Sequence, residues 1–176
     1  MRRHILVAVC LSLFWLASDV WAQISVKSTD HPVYDNRPYG YTVTVRRNRT
    51  YTRTSPPNPD HGFGIDLRSG NKLWVDASYT DSSSNKEEAA VITTGCRIDD
   101  KHTARLGGRI ALSLRFVCPA SADQQAYTEV ITLVVHRQGD RSRANYQVGL
   151  RVYGEDVPTM EQALFDKVVD GFRFVK

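Results

Sequence analysis

Two cysteines on either side of a glycine pair constrain the fold of this chain more than any other feature of its sequence. Cys96 and Cys118 flank Gly107-Gly108, a strong turn signal between two strand-like segments. In an antiparallel hairpin the numbers of facing residues have a constant sum, and a three-residue loop over residues 106–108 sets that sum at 214. The numbers of the two cysteines also sum to 214, so the sequence predicts a hairpin with a disulfide at its open end.

The predicted bridge stabilises the fold, and one alternative to it stays open. Closing a loop of this size contributes about 3 kcal/mol by the loop-entropy model. The charged segment Asp99-Asp100-Lys101 lies in the first strand of the hairpin and can shift its register. The alternative is therefore a pair of buried free thiols at Cys96 and Cys118.

Residues 1–22 have the organisation of a cleaved signal peptide. Basic residues precede an apolar run over residues 5–17, and Val-Trp-Ala at residues 20–22 offers a small-residue exit. The run is shorter than the roughly 20 residues of a transmembrane helix, and a retained N-terminal anchor is the alternative. The third cysteine lies inside this segment and leaves with it. We therefore expect one domain, residues 23–176, periplasmic or secreted, where an oxidising environment favours disulfides.

The charge of the predicted mature chain points away from nucleic acid. This chain keeps 21 basic and 18 acidic residues, a net charge of +3. Its basic residues are spread out, which is typical of a solvated face, whereas a nucleic-acid footprint is denser and interleaved with exposed aromatic residues. No later segment is long enough to span a bilayer, so we expect no stable membrane insertion. The net positive charge does not exclude acidic glycans, anionic lipid head groups or an acidic protein as partners.

Alternating apolar residues predict several antiparallel strands. The strand after the glycine pair alternates cleanly, and it is predicted to point Ile110, Leu112, Leu114 and Phe116 into the core. A nearly continuous apolar run further along the chain predicts a strand in the middle of a sheet. The clearest predicted strands cover residues 39–46, 63–67, 72–79, 109–116, 127–136 and 145–153.

Two segments with helical periodicity interrupt the strands. Ser84 as N-cap and Glu87 at N3 form a capping box that begins the first helix. Thr159 with Gln162 forms a similar pair at the start of the second helix, and Gly171 ends it. The apolar stripe of the second helix consists of Met160, Leu164, Phe165, Val168 and Val169.

The order of these elements predicts the fold class. Strands, a short helix, more strands and a helix follow one another, and Phe172 and Phe174 form a terminal strand or a tucked tail. The segment at residues 54–60 contains three prolines and is predicted to be a loop. We expect a single α+β domain, whose mostly antiparallel β-sheet carries a short middle helix and a C-terminal helix packed on it.

The C-terminal third of the chain resembles the PsbP-like superfamily of α/β/α sandwiches. The resemblance rests on the strand around residues 131–135, the hairpin that returns over residues 147–153, the helix at residues 160–170 and the closing Gly-Phe-Arg-Phe at residues 171–174. In that superfamily a similar fold serves photosystem subunits, nuclear-transport factors and bacterial periplasmic proteins. The resemblance implies a binding or accessory module rather than an enzyme, and it transfers no catalytic residue.

Motifs for catalysis and metal binding are sparse. There is no Gly-x-Ser-x-Gly motif, and the helix cap explains the Ser-x-x-Lys match at residues 83–86 better than catalysis does. Asp-Asp-Lys-His at residues 99–102 predicts a surface charge cluster, with a metal site as the alternative. We therefore expect no enzyme activity, no metal and no cofactor. The alternative is a small hydrolase that uses His61 with Asp60 or His136.

Loops and strands rich in tyrosine and arginine are the candidate binding surface. Both residue types are enriched at interface hot spots, and prolines stiffen the loop at residues 54–62 and lower the entropy cost of binding. Ordinary aromatic core contacts explain the tyrosines equally well. We expect residues 54–62 or residues 138–143 to occlude the active site of a protein partner. The predicted partner-binding residues are Arg49, Arg53, Asp60, His61 and Arg141.

These expectations describe a non-enzymatic exported protein that binds a protein partner. A signal peptide, one disulfide and a small size fit a periplasmic inhibitor of an envelope enzyme or an immunity protein that blocks a toxin. A small-ligand carrier is a further alternative. The sequence leaves the oligomeric state open.

Overall fold

Strands alternate with two α-helices in a computed structural model of the protein, which describes residues 33–44, 52–54, 61–67, 70–138 and 142–175. The predicted signal peptide at residues 1–22 lies outside the described residues. The strands are β1 (Val33–Asn36), β2 (Tyr41–Thr44), β3 (Thr52–Thr54), β4 (Gly62–Asp66), β5 (Lys72–Tyr79), β6 (Arg97–Leu106), β7 (Arg109–Cys118), β8 (Tyr127–Gln138), β9 (Ser142–Val152) and β10 (Phe172–Phe174). The helices are α1 (Asn85–Ile92) and α2 (Thr159–Gly171), and a 3-10 helix covers Arg37–Tyr39.

Within the described residues the strands form two antiparallel sheets. The larger sheet has seven strands in the order β3-β4-β5-β9-β8-β7-β6, and the smaller sheet has the order β1-β2-β10. Strand β8 lies inside the larger sheet between β7 and β9, as its continuous apolar run predicts. The two antiparallel sheets and two α-helices confirm the predicted α+β class. In the same part of the chain, no helix is long and apolar enough to cross a membrane.

The alternation of side chains gives the larger sheet two apolar faces. One face, here called the α2 face, carries Val75 and Val148 and packs against α2 and the smaller sheet. The opposite face, here called the α1 face, carries Leu114 and Ile131 and packs against α1. The larger sheet is therefore the middle layer of the protein.

The turn of the β6–β7 hairpin is shorter than predicted. It consists of Gly107 and Gly108 alone, so Leu106 faces Arg109 instead of belonging to a three-residue loop. Both glycines have positive φ, 57° and 82°, which a two-residue type I′ turn requires. Facing residue numbers near the turn therefore sum to 215, not to the predicted 214.

A β-bulge in β6 brings the two cysteines back into register. The pairing shifts by one residue between Ile98 and Asp100, which makes Asp99 the extra residue. Beyond this bulge the facing numbers sum to 214 again. Cys96 and Cys118 form a disulfide, with their Cα atoms 4.4 Å apart. The bulge in the charged segment Asp99-Asp100-Lys101 therefore restores the predicted pairing of the two cysteines.

The prediction that Ile110 points into the core is wrong. Leu114 and Phe116 on the same strand are buried, whereas Ile110 is 68% exposed. Asn85, the first residue of α1, donates a hydrogen bond from its side-chain amide to the Ile110 carbonyl (3.1 Å). The helix begins at this position, and it therefore does not extend over the Ile110 side chain.

The N-terminus of α1 has the predicted cap with one change. The Ser84 hydroxyl accepts a hydrogen bond from the Glu87 N–H (3.2 Å), as expected for an N-cap. The Glu87 carboxylate accepts bonds from the backbone N–H and the hydroxyl of Ser83 (2.6 and 2.7 Å). The reciprocal half of the capping box therefore closes one residue earlier than predicted.

The second helix begins without the predicted capping box. Pro158 is its N-cap, no side chain makes a capping bond, and Thr159 is the first helical residue. Met160 is 83% exposed and does not belong to the buried stripe, contrary to the prediction. In the first turn Met160 lies on the outer side of the helix. The buried residues of α2 are Leu164, Phe165 and Val168.

The C-terminal tail is a strand, which is one of the two predicted forms. Gly171 is the last residue of α2, and a Cβ at this position would lie 3.0 Å from the Thr44 carbonyl oxygen, so the close approach of α2 to β2 favours glycine. Phe172 then faces Val43 of β2. Its ring is fully buried and stacks on Tyr41, with the ring centroids 5.0 Å apart.

Candidate functional site

One end of the larger sheet carries the strand ends that flank both segments singled out by the sequence, residues 54–62 and 138–143. Strands β3 and β4 are antiparallel neighbours on either side of the first loop, and β8 and β9 are antiparallel neighbours on either side of the second. Strand β5 runs toward both loops, because it is antiparallel to β4 on one side and to β9 on the other. The strand ends that flank the two segments therefore lie on either side of the end of β5.

Backbone hydrogen bonds fix the end of β5 between the two loops. The Ala77 N–H donates to the His61 carbonyl (3.0 Å), and the Thr80 N–H donates to the Arg143 carbonyl (3.0 Å). Tyr79, the last residue of β5, is 62% exposed. We call this surface the loop end and define it by His61, Tyr79 and Arg143.

The structure places one of the five predicted partner-binding side chains. His61 is half-buried at the loop end, directly before β4. Arg53 belongs to β3, where its backbone faces Phe63 of β4. The other three, Arg49, Asp60 and Arg141, lie outside the described residues. For all five residues, the role in partner binding is still a prediction.

The tyrosines considered for the binding surface belong partly to the core. Tyr34, Tyr39 and Tyr41 are all buried, which agrees with the explanation that they make ordinary core contacts. The Tyr39 ring lies 5.4 Å from the His61 imidazole and 5.6 Å from the Tyr79 ring, measured between centroids. The Tyr41 hydroxyl donates to the His61 carbonyl (2.9 Å), and burial raises the pKa of both Tyr39 and Tyr41. Buried tyrosines thus support His61 and Tyr79 from the core side.

An open cleft of about 430 Å³ lies next to Tyr79. The Arg143 and Asp81 side chains give it one positive and one negative group, and Tyr79 gives it an aromatic wall. Thr80 and Ser142 complete the lining. The cleft therefore offers polar, charged and aromatic contacts next to both candidate loops.

Side chains of α1 hold the neighbouring strand ends in place. The Glu88 carboxylate accepts hydrogen bonds from the Thr80 hydroxyl (2.6 Å) and from the Asn145 amide (2.9 Å). The Asn85 side-chain oxygen accepts a bond from the Val135 N–H (2.7 Å). These contacts join α1 to the end of β5 and to β8 and β9, so the frame of the loop end is fixed by side chains as well as by the sheet.

The structure does not bring together the histidines of the alternative hydrolase. His61 directly precedes β4 and His136 belongs to β8, and strands β5 and β9 lie between these two strands. Three ordinary strand spacings therefore separate the backbones of the two residues by about 14 Å across the sheet. General acid–base catalysis needs direct contact or contact through one water. Burial lowers the pKa of His136, and Arg109 lowers it further. On β5, burial raises the pKa of Asp76, which His61 partly counteracts.

The acidic cluster of β6 consists of two side-chain pairs at the surface. The Arg97 Nε lies 2.9 Å from the Asp99 carboxylate, and the His102 Nδ1 lies 2.8 Å from the Asp100 carboxylate. Among the residues that the structure describes, no group of three or more histidine, cysteine, aspartate and glutamate side chains is placed to hold a metal ion. The alternative of a metal site at residues 99–102 has no support there.

A charged and aromatic cluster on the α1 face was missed by sequence reasoning. The Arg151 guanidinium forms an ion pair with the buried Glu129 (2.9 Å) and lies 4.2 Å from the centroid of the Tyr127 ring. Burial raises the pKa of Glu129, and Arg151 counteracts this. The Trp74 indole lies directly over Gly149, where any Cβ would collide with it. A glycine inside a strand pattern was the available signal for this close approach.

The described architecture is a PsbP-like fold. The chain is similar to the solution structure of cyanobacterial PsbP (CyanoP) from Synechocystis sp. PCC 6803, with a TM-score of 0.57 and 12% sequence identity, covering 85% of this chain and 95% of that chain. No family model and no curated protein matches the chain. The likeness of fold thus covers most of the chain and not only its C-terminal third. At this identity the likeness defines the fold and assigns no function.

Proposed function

We propose that the protein is an exported, non-enzymatic binding protein whose loop end binds a protein partner. One observation carries the proposal: the strand ends that flank residues 54–62 and 138–143 lie on either side of the end of β5, which presents the exposed Tyr79 between them. Tyrosine and arginine are the residue types enriched at interface hot spots, and Arg143 lies next to Tyr79. The PsbP-like fold agrees with a binding module.

The contacts beneath the loop end favour tight binding. Immobilising a rotamer-rich side chain at an interface costs about 0.5–1.5 kcal/mol. His61 and Tyr79 already pack against the buried Tyr39, and Glu88 and Asn85 hold the strand ends. A partner that binds this surface therefore loses less free energy to ordering than a partner that binds freely moving side chains.

The finer form of the proposal concerns the partner. It is either an envelope enzyme that this protein inhibits or a toxin that it neutralises as an immunity protein. One of the two loops enters the active-site cleft of the partner, while Tyr79 and Arg143 contact the rim of that cleft. The open cleft beside Tyr79, with Asp81 and Arg143 in its lining, receives a charged side chain of the partner in return.

The test begins with a search for the partner. The protein is used as bait in an envelope extract and is also mixed with the purified products of the neighbouring genes, because an immunity protein is encoded beside its toxin. The stoichiometry and affinity of any complex are measured by calorimetry. If no protein binds stoichiometrically in either arm, the proposal fails.

A matched pair of tyrosine variants locates the interface. Tyr79→Ala removes the exposed ring at the loop end, and Tyr153→Ala removes another exposed ring, 42% exposed, just after the opposite end of β9. We expect Tyr79→Ala to weaken the complex by at least about tenfold, as hot-spot truncations do, and Tyr153→Ala to leave it unchanged. Equal effects of the two variants would place the interface elsewhere.

A further inference from the structure

Strand β6 is an exposed edge of the larger sheet. It is ten residues long, it pairs with β7 on one side, and among the described residues no strand pairs with its other side. Eight of its ten residues are exposed. Free edges of this length are usually covered or blocked, because they present a row of backbone donors and acceptors to any extended chain.

The bulge at Asp99 determines which side chains of β6 lie on each face of the sheet. Ile98 faces Phe116 and Lys101 faces Leu114, so both lie on the α1 face of the sheet. Register places Thr103 and Arg105 on this face too, while Asp100 and His102 lie on the opposite face and pair with each other (2.8 Å). Asp99 pairs with Arg97 (2.9 Å). The α1 side of β6 is therefore apolar and basic.

A groove of about 500 Å³ runs between α1 and β6 on this same side. Ala89, Ala90 and Ile98 contribute apolar side chains to its lining, and Lys86 and Lys101 also line it. Glu87 also lines the groove, but its carboxylate is held by the N–H and the hydroxyl of Ser83. The lining of the groove thus combines apolar side chains with two lysines.

We propose that β6 and this groove bind an extended segment of a partner protein, which adds to the sheet as a further strand and carries both apolar and acidic side chains on the side that faces α1. Backbone hydrogen bonds to the free edge supply affinity, as in other cases of strand addition. Side chains on one side of the added strand fall into the groove, where apolar groups contact Ile98 and Ala90 and acidic groups contact Lys86 and Lys101. This surface is separate from the loop end and does not depend on the function proposed for it.

The charges of β6 argue against a second copy of this chain as the occupant. Two β6 strands paired antiparallel in one continuous sheet place Lys101 and Arg105 of both copies on the same face. Like charges in neighbouring cross-strand positions destabilise such a pairing. An acidic segment meets the same side chains with opposite charge.

A synthetic peptide probes the proposal directly. The probe is a fluorescently labelled, N-acetylated ten-residue peptide in which valine and glutamate alternate at every second position and threonine fills the positions between, so that one side of the strand carries both groups. It is titrated with the full chain and followed by anisotropy. We expect saturable binding with a Kd below about 1 mM, and no binding of the peptide in which lysine replaces glutamate. Absence of saturable binding by the glutamate peptide overturns the proposal, as does equal binding of both peptides.

Two further arms separate strand addition from a general attraction between charges. The Lys101→Glu variant is expected to lower affinity for the probe at least about tenfold, whereas Lys167→Glu on the exposed side of α2 leaves it unchanged. Methylation of the backbone nitrogens of the probe removes its hydrogen-bond donors and is expected to abolish binding. Undiminished binding of the methylated probe overturns strand addition.

The result is independent of the partner search. Tyr79→Ala is expected to leave affinity for the probe unchanged, because Tyr79 does not line the groove. Concentration-dependent dimerisation of the unliganded protein that Lys101→Glu alters would instead assign the edge to a second copy and overturn the proposal.

Discussion

Removal of the disulfide is expected to destabilise the protein by about 3 kcal/mol. The bridge joins Cys96, whose N–H donates to the Thr93 carbonyl at the end of α1, to Cys118, the last residue of β7. The cysteines are 22 residues apart in sequence, and the loop-entropy relation for a closure of that length gives about 3 kcal/mol. Alanine at both positions removes the bridge without burying a hydroxyl at position 118, as serine would.

Chemical denaturation in urea measures this change, with thermal unfolding as a second measurement. For a domain of this size, 3 kcal/mol lowers Tm by about 6–12 °C. Unreduced wild-type protein is compared with reduced wild-type protein and with the Cys96→Ala/Cys118→Ala variant. We expect reduction to destabilise the wild type and to leave the variant unchanged. A variant as stable as the oxidised wild type would refute the reasoning, and so would a reductant effect that persists in the variant.

Three further predictions follow from the packing and burial of single residues. Gly149→Ala forces a Cβ into the Trp74 indole and is expected to cost about 1–3 kcal/mol of unfolding free energy in urea, with a changed tryptophan emission spectrum; an unchanged midpoint contradicts the close approach. Phe172→Ala leaves a cavity beside Tyr41 and is expected to cost about 3–5 kcal/mol by the same measurement; a loss below 1 kcal/mol would show that β10 does not close the core. Burial raises the pKa of Asp76, so the native state binds its proton more tightly than the unfolded state, and stability falls as pH rises from 3.8 through the raised pKa. Asp76→Asn is expected to flatten that fall in denaturation curves measured across this range, and an unaltered pH profile would remove the inference.

Local patterns in the sequence predict the elements well where local physics decides them. Alternation predicts β5 at residues 72–79, which are its observed bounds, and the hydrogen-bonding preference of Ser84 predicts the start of α1. Each of these signals depends only on residues that are close together in the sequence. They therefore need no knowledge of which strand pairs with which.

The cysteine hairpin shows where sequence arithmetic reaches its limit. The pairing of Cys96 with Cys118 follows from a constant sum, yet the turn is one residue shorter than assumed and Asp99 is one residue extra. The two differences cancel. The charged segment Asp99-Asp100-Lys101 indicates that the register can shift, but it does not fix the size or the position of the shift.

The candidate site could be predicted only in outline. The two loops were identified from proline, tyrosine and arginine content, but their common position depends on the strand order of the larger sheet. The Trp74–Gly149 contact joins strands far apart in the sequence, and Met160 is exposed because of where α2 begins. Strand pairing over long sequence distances and the side of a helix that faces the core depend on tertiary structure. The periodicity of residues within one element does not predict them.

The most direct test of the proposed function maps the footprint of the bound partner by amide hydrogen exchange. The account predicts that the complex protects the amides of His61, Tyr79, Thr80 and Arg143 at the loop end, while the amide of Tyr153 at the opposite end exchanges as in the free protein. Protection confined to the opposite end, with unchanged exchange at the loop end, would contradict the claim that the two loops around β5 form the binding surface.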